Sequence, residues 1–187
     1  LYLSSLGADA EAIYPTLVAY LTKHPKVALA FQPGTYQMQL GTDRLSEIYR
    51  RTRVFFCNRE EAQRILKTNE NDMRQLLTGL HALGPKIVVV TDGPSGAYAK
   101  DGERYLRMPL YPDPKPPYER TGAGDAFAAT FTSALALGLS VVEGLRWAPI
   151  NSMSVVQYVG AREGLLTREK LEAYLRVAPA QYKIEQW

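Results

Sequence analysis

The run Thr121-Gly122-Ala123-Gly124-Asp125 is the part of this chain best suited to chemistry. It follows a loop and heads an apolar stretch with helical spacing, and its small residues would let an anion come close to the main chain. The first amides of a helix have no internal partners, so Gly122, Ala123 and Gly124 form a candidate anion hole. A carboxylate in that first turn, Asp125, could accept the proton of a hydroxyl as it attacks a γ-phosphoryl group. The plainer alternative is that the two glycines shape a turn and Asp125 only favours the helix dipole. The length of the run weighs against that, because at average residue usage it would occur by chance in roughly one chain in several thousand of this size. Neither the Walker A pattern nor GxGxxG occurs, which disfavours a P-loop or Rossmann site.

Other candidates are weaker singly. Asn58-Arg59-Glu60-Glu61 follows the apolar run Val54-Phe55-Phe56-Cys57, and Asn with an acid three residues later is also a capping box. Thr91-Asp92-Gly93-Pro94-Ser95-Gly96 follows Ile87 and three valines, and suits either a phosphate-side loop or a strand-to-hairpin turn. Asn151 stands in a late helical stretch where an ordinary helix residue would also serve. His24 and His81 lie near helix ends and read as structural or solvent-facing. Cys57 is the only cysteine, so no internal disulfide can form; a buried thiol in a strand and a reducing, cytoplasmic setting are expected.

The elements that must position these residues alternate. Helical spacing covers 10–22, 43–51, 59–67 and 71–83, and short apolar strands cover 27–31, 54–57 and 87–91. Strands alternating with helices predict βαβ units and a mostly parallel sheet, with ligands at the carboxyl ends of the strands. Asp101-Gly102 between 97–100 and 105–108 predicts an antiparallel edge hairpin. The proline-rich stretch 109–117 reads as a stiff connection rather than a PxxP ligand. Helices are expected over 122–137, 141–159 and 167–177, the first buried on most sides.

The chain's 187 residues, 46% hydrophobic and 22% charged, suit a single domain over 1–187 with an ordinary core. The net charge is +3, but Lys and Arg are scattered among acids without a stripe, which argues against a nucleic-acid partner. No apolar run approaches the length of a membrane span, and the amino terminus has no signal-peptide pattern. Leu1 opens a segment that looks like the end of a strand, so a portion upstream is expected to be missing.

The sequence resembles the ribokinase-like (PfkB) carbohydrate kinases, whose second signature is typically DTTGAGDAF where this chain has ERTGAGDAF. The resemblance covers most of the chain. Asn58 to Glu61 matches the family's NxxE motif, Thr91 to Gly96 its TxGxxG segment, and Asn151 with Gly160-Ala161 its late Asn and Gly-Ala pair. It implies a three-layer αβα fold with a helical carboxyl end, lacking its amino-terminal part and lid. Members run to about 300 residues as one domain. It also implies ATP-dependent phosphoryl transfer to a hydroxyl of a sugar or related small molecule, with Asp125 as catalytic base. Asn58, Thr91, Gly93, Gly96 and Asn151 would bind the nucleotide, and Glu61 would meet Mg2+ through water. Two alternatives stay open: a truncated or regulatory nucleotide-binding remnant without activity, and a nucleoside or hydroxymethylpyrimidine kinase of the same family. Glu119 and Arg120 replace the usual Asp and Thr in a segment that often helps hold a monovalent cation, which counts against potassium activation. Thr130 stands where glycine is common. A truncated sheet would expose an edge strand and an apolar face, which invites a homodimer.

Overall fold

The computed structural model describes residues 1–187. Seven strands and eight α-helices alternate in an α/β arrangement, and the strands are hydrogen-bonded in the order β1-β2-β3-β4-β5-β6-β7. The chain packs as two compact units, Leu1–Val90 with Ala99–Tyr105, and Thr91–Tyr98 with Leu106–Trp187.

In the first unit, β1 (Tyr2–Leu3), β2 (Leu29–Phe31) and β3 (Thr52–Asn58) run parallel, with Leu3 opposite Phe31 and Phe31 opposite Phe55. All of β2 and the run Val54 to Cys57 in β3 are buried on both faces, the pattern parallel strands take when helices cover both sides. Phe31, Tyr49 and Phe55 form a ring cluster with centroids 5.4–5.7 Å apart, a spacing that adds to their area burial. Burial pushes the Cys57 thiol well up, with the Glu61 charge adding to it. The thiol therefore stays protonated and serves as core.

The helices of this unit are α1 (Ile13–Lys23), α2 (Thr35–Arg44), α3 (Ser46–Arg51), α4 (Arg59–Leu66) and α5 (Met73–Ala82). The single helix expected over 43–51 is thus two, and α2 begins eight residues earlier than expected. Apolar periodicity misses α2 because its one buried side chain is Gln37. The Gln37 Oε1 accepts from the Gly34 amide at 2.8 Å and the Leu6 amide at 3.3 Å, while Nε2 donates to the Ser4 carbonyl at 2.9 Å. A buried amide so satisfied anchors the helix without an apolar stripe. Helices α4 and α5 meet at Gly79, where an added Cβ would lie 2.9 Å from Leu66 Cδ1.

The strand β4 (Ile87–Thr91) gives its buried residues Ile87 to Val90 to the first unit and Thr91 to the second. The hairpin strands β5 (Ala97–Asp101) and β6 (Arg104–Met108) are likewise divided. In the second unit, β6 pairs antiparallel with β7 (Glu185–Gln186), and Arg107 pairs with Glu185 at 2.8 Å. Helices α6 (Ala123–Ala136), α7 (Val141–Val155) and α8 (Arg168–Arg176) make up the rest. Phe131 of α6 is fully buried, and Gly144 of α7 leaves room for its ring, 3.1 Å from where a Cβ would stand. Covering that ring contributes about 1.5–3 kcal/mol. The Ser140 and Thr167 hydroxyls cap α7 and α8 by accepting from the Glu143 and Lys170 amides. No helix is long and apolar enough to cross a membrane.

Candidate nucleotide and phosphoryl-transfer site

Gly122 has a φ of 79° and precedes the first helical residue of α6. A Cβ there would fall 2.6 Å from the Ala161 Cβ and 2.7 Å from its Cα, so conformation and packing both demand glycine. The Gly-Ala pair noted in the sequence thus holds the turn that starts the helix. The strand of chain before it is pinned by main-chain bonds, with the Tyr118 amide donating to the Val156 carbonyl at 2.8 Å. The Glu119 carboxylate accepts from the Gly160 amide at 2.5 Å. Ser152 of α7 donates to the Ala123 carbonyl at 2.6 Å and so fixes the first turn from the other side.

The turn after β4 is equally constrained. The Asp92 amide donates to the Gly96 carbonyl at 2.8 Å and the Gly96 amide to Gly93 at 3.1 Å. Gly96 has a φ of 94°, and a Cβ on it would lie 2.2 Å from the Met108 carbonyl oxygen. Both glycines of the TxGxxG run take positive φ, which explains their identity before any ligand is considered.

Within the second unit these two turns share one cavity of about 340 Å³. Thr91, Gly93 and Gly96 line one part of it, and Ala123, Gly124 and Arg120 another. Leu110, Tyr111, Phe127, Pro149, Met153 and Val156 supply apolar wall. A volume of this order with a mostly apolar wall and a few polar groups suits a nucleotide-sized ligand. The helix start brings the positive end of its dipole and Arg120 a full positive charge, an arrangement suited to the anionic end of a ligand. The Ala123 amide is already directed to the Arg120 carbonyl at 3.3 Å, which shifts the donor role toward the amides that follow it.

The predicted site residues divide four ways. Thr91, Gly93, Gly96, Ala123 and Gly124 line the cavity together. Gly122 and Asp125 are not part of its wall; Asp125 is exposed on the same first turn of α6. Asn151 is buried, its Nδ2 donating to Thr130 Oγ1 at 2.7 Å and its Oδ1 accepting from the Leu166 amide at 2.9 Å. Its amide is thus engaged inside the fold, while its neighbours Pro149, Ser152 and Met153 face the cavity. Asn58 and Glu61 lie in the first unit at the head of α4. There the Asn58 Oδ1 accepts from the Glu61 amide at 2.8 Å and a Glu61 carboxylate oxygen accepts from the Asn58 amide at 2.9 Å, a closed capping box. This leaves the second Glu61 oxygen as the group that suits a water-clad hard cation. No cluster of three or more His, Cys, Asp or Glu residues forms a direct metal cage.

Arg120, Tyr111 and Asp113 are among the wall residues that sequence motifs miss. Arg120 was legible only as a departure from a family pattern, and the structure puts it in the wall. Tyr111 and Asp113 come from the proline-rich stretch, whose composition signals a connection and nothing more. Tyr111 anchors that stretch by packing on Tyr174 and Tyr182, with centroids 5.6 and 4.9 Å away, and donating to the Tyr174 carbonyl. Burial raises the Asp113 carboxyl above its ordinary range, opposed by the charge of Arg120.

Comparison with known proteins gives the chain a family. An uncharacterized sugar kinase of Archaeoglobus fulgidus is 29% identical over 138 residues, covering 74% of this chain and 53% of the relative. A cytidine kinase of Thermococcus kodakarensis is 34% identical over 127 residues, covering 66% and 44%. The chain therefore spans about half the length of the curated relatives it matches. Among solved structures, an Arabidopsis thaliana ribokinase complexed with ribose and ATP superposes with a TM-score of 0.75 at 26% identity, over 89% of this chain and 53% of that one. The profile of the pfkB family carbohydrate kinases matches residues 3–168, and with the TGAGD turn, the TxGxxG turn and their shared cavity in place, the chain belongs to that family.

Proposed function

We propose that this chain carries the phosphoryl-transfer centre of an ATP-dependent kinase whose acceptor is a hydroxyl of a sugar or related small molecule. One observation carries the proposal: the first turn of α6 presents Ala123 and Gly124 to a nucleotide-sized cavity and Asp125 outside it. A base must meet the acceptor and not the donor, so its place beyond the nucleotide wall suits the role. Asp125 takes the acceptor's hydroxyl proton as the oxygen bonds to the γ-phosphorus. The bond from that phosphorus to the β,γ-bridging oxygen breaks, and ADP leaves. The amides at the start of α6, with Arg120, stabilise the charge on the transferred group. Thr91, Gly93 and Gly96 contact the nucleotide, and Asn151 acts on it by fixing the α7 face that carries Pro149, Ser152 and Met153. Magnesium, when bound, would neutralise phosphate charge; Glu61, oriented by Asn58, is the residue of the first unit suited to a water-clad cation.

Asp125→Asn is expected to lower kcat by at least about a hundredfold and leave ATP affinity within about threefold. Coupled phosphoryl-transfer assays and calorimetry check this, and turnover within about tenfold of the wild type would remove Asp125 from the base role.

The same cavity also suits a second reading, a nucleotide-binding module without turnover. ATP binding with no transfer across a panel of sugars, nucleosides and hydroxymethylpyrimidine would favour it. The cytidine kinase relative makes nucleosides the first acceptors to set beside sugars.

A further inference from the structure

The cavity's polar groups differ in kind. Arg120, a cation, and Asp113, the one carboxylate in the wall, both come from the loop between β6 and α6. The Asp113 Oδ1 lies 3.5 Å from Nε2 of Gln157. Gln157 is 93% buried, and its Oε1 has no hydrogen-bond partner. The buried amide orients the carboxylate through one oxygen.

A carboxylate in a nucleotide cavity is repelled by phosphates and attracted by N–H and O–H donors. In a purine nucleotide those donors are the base amino group and the ribose hydroxyls, which occupy the uncharged half of the molecule. We propose that Asp113 is a donor-specificity residue: it accepts a hydrogen bond from the nucleoside half of the bound nucleotide and selects nucleotides that carry a matching donor. This rests on the cavity being the nucleotide site, as set out above. The Asp113 side chain is exposed, and a ligand N–H or O–H would replace water on it with a charge-assisted hydrogen bond. No motif points to the residue, which stands alone among prolines 112, 114, 116 and 117.

The test is calorimetric titration of the protein, in magnesium buffer, with three triphosphates. These are ATP, purine riboside triphosphate, which lacks the 6-amino group, and 2′-deoxy-ATP, which lacks one ribose hydroxyl. The wild type should bind ATP about tenfold or more tightly than at least one analogue, the discrimination expected of a hydrogen bond to a charged group. Asp113→Ala should reduce that ratio to about twofold or less, and which analogue responds tells base from ribose. Asp113→Asn keeps the side chain's shape and an acceptor oxygen, so it should retain part of the ratio and separate lost recognition from misfolding. Discrimination unchanged in Asp113→Ala would overturn the proposal. So would an equal weakening of all three triphosphates, the result expected if Asp113 served the metal or the phosphates. Binding of all three without discrimination by the wild type overturns this inference alone, whereas no triphosphate binding at all overturns the nucleotide site with it.

Discussion

Gly122 shows how much one residue can decide in this fold. Its positive φ alone would strain any other residue, and the Ala161 Cα and Cβ lie where a side chain would begin. Gly96 is held in the same way by the Met108 carbonyl. A mobile side chain could yield, but main-chain atoms of a pinned segment cannot do so cheaply. Gly122→Ala should therefore destabilise the protein by about 1–3 kcal/mol and weaken ATP binding, because moving the turn re-aims the amides of Gly124 and Asp125. Gly138, also at positive φ (81°) but with nothing within 4 Å of an added Cβ, is the control. Its alanine variant should lose only the strain of the left-handed backbone, about 1–2 kcal/mol, and bind ATP normally. Urea unfolding and calorimetry on the two variants check the contrast, and equal effects at both positions would mean that backbone strain alone, without the Ala161 contact, sets the cost.

Between helices, the decisive link is the Asn151 side chain, which joins α7 to Thr130 of α6 and to the Leu166 amide. Thr130→Val should cost about 1–3 kcal/mol by leaving the Asn151 Nδ2 buried without its acceptor. Asn151→Ala should cost more, since two partners lose their bond. The double variant should fall short of the sum by about 0.5–3 kcal/mol, the coupling expected of residues in contact; additive losses in a urea double-mutant cycle would show that the bond is energetically idle. The same pair shows where sequence stops being informative. Asn151 was identifiable as a motif residue and Thr130 as a departure, yet only the fold shows that one answers the other. Regular patterns were readable: the valines of β4, the Asp101-Gly102 turn, the apolar face of α6, and the Asn58–Glu61 box. What was lost depended on polar or distant partners. Helix α2 hangs on Gln37, β7 is two residues paired with β6, and Asp113 reaches the cavity through a loop whose prolines describe stiffness and not direction.

Taken whole, the chain crosses between its two compact units three times, at 90/91, 98/99 and 105/106. Strands β4, β5 and β6 each give residues to both units, so neither unit can unfold without breaking strands that belong partly to the other. A single cooperative thermal transition follows, and it bears directly on the nucleotide site because the cavity lies in the second unit alone. A ligand that binds only the folded state stabilises it by about 2.7 kcal/mol at a hundred times its Kd. For a chain of this size that should raise Tm by roughly 5–10 °C. Scanning calorimetry with and without ATP should therefore show one endotherm that moves as a whole, the buried β4 valines of the first unit gaining stability from a ligand held in the second. Two endotherms, of which ATP moves only one, would mean that the shared strands do not couple the units. The cavity would then report on the stability of residues 91–98 and 106–187 alone.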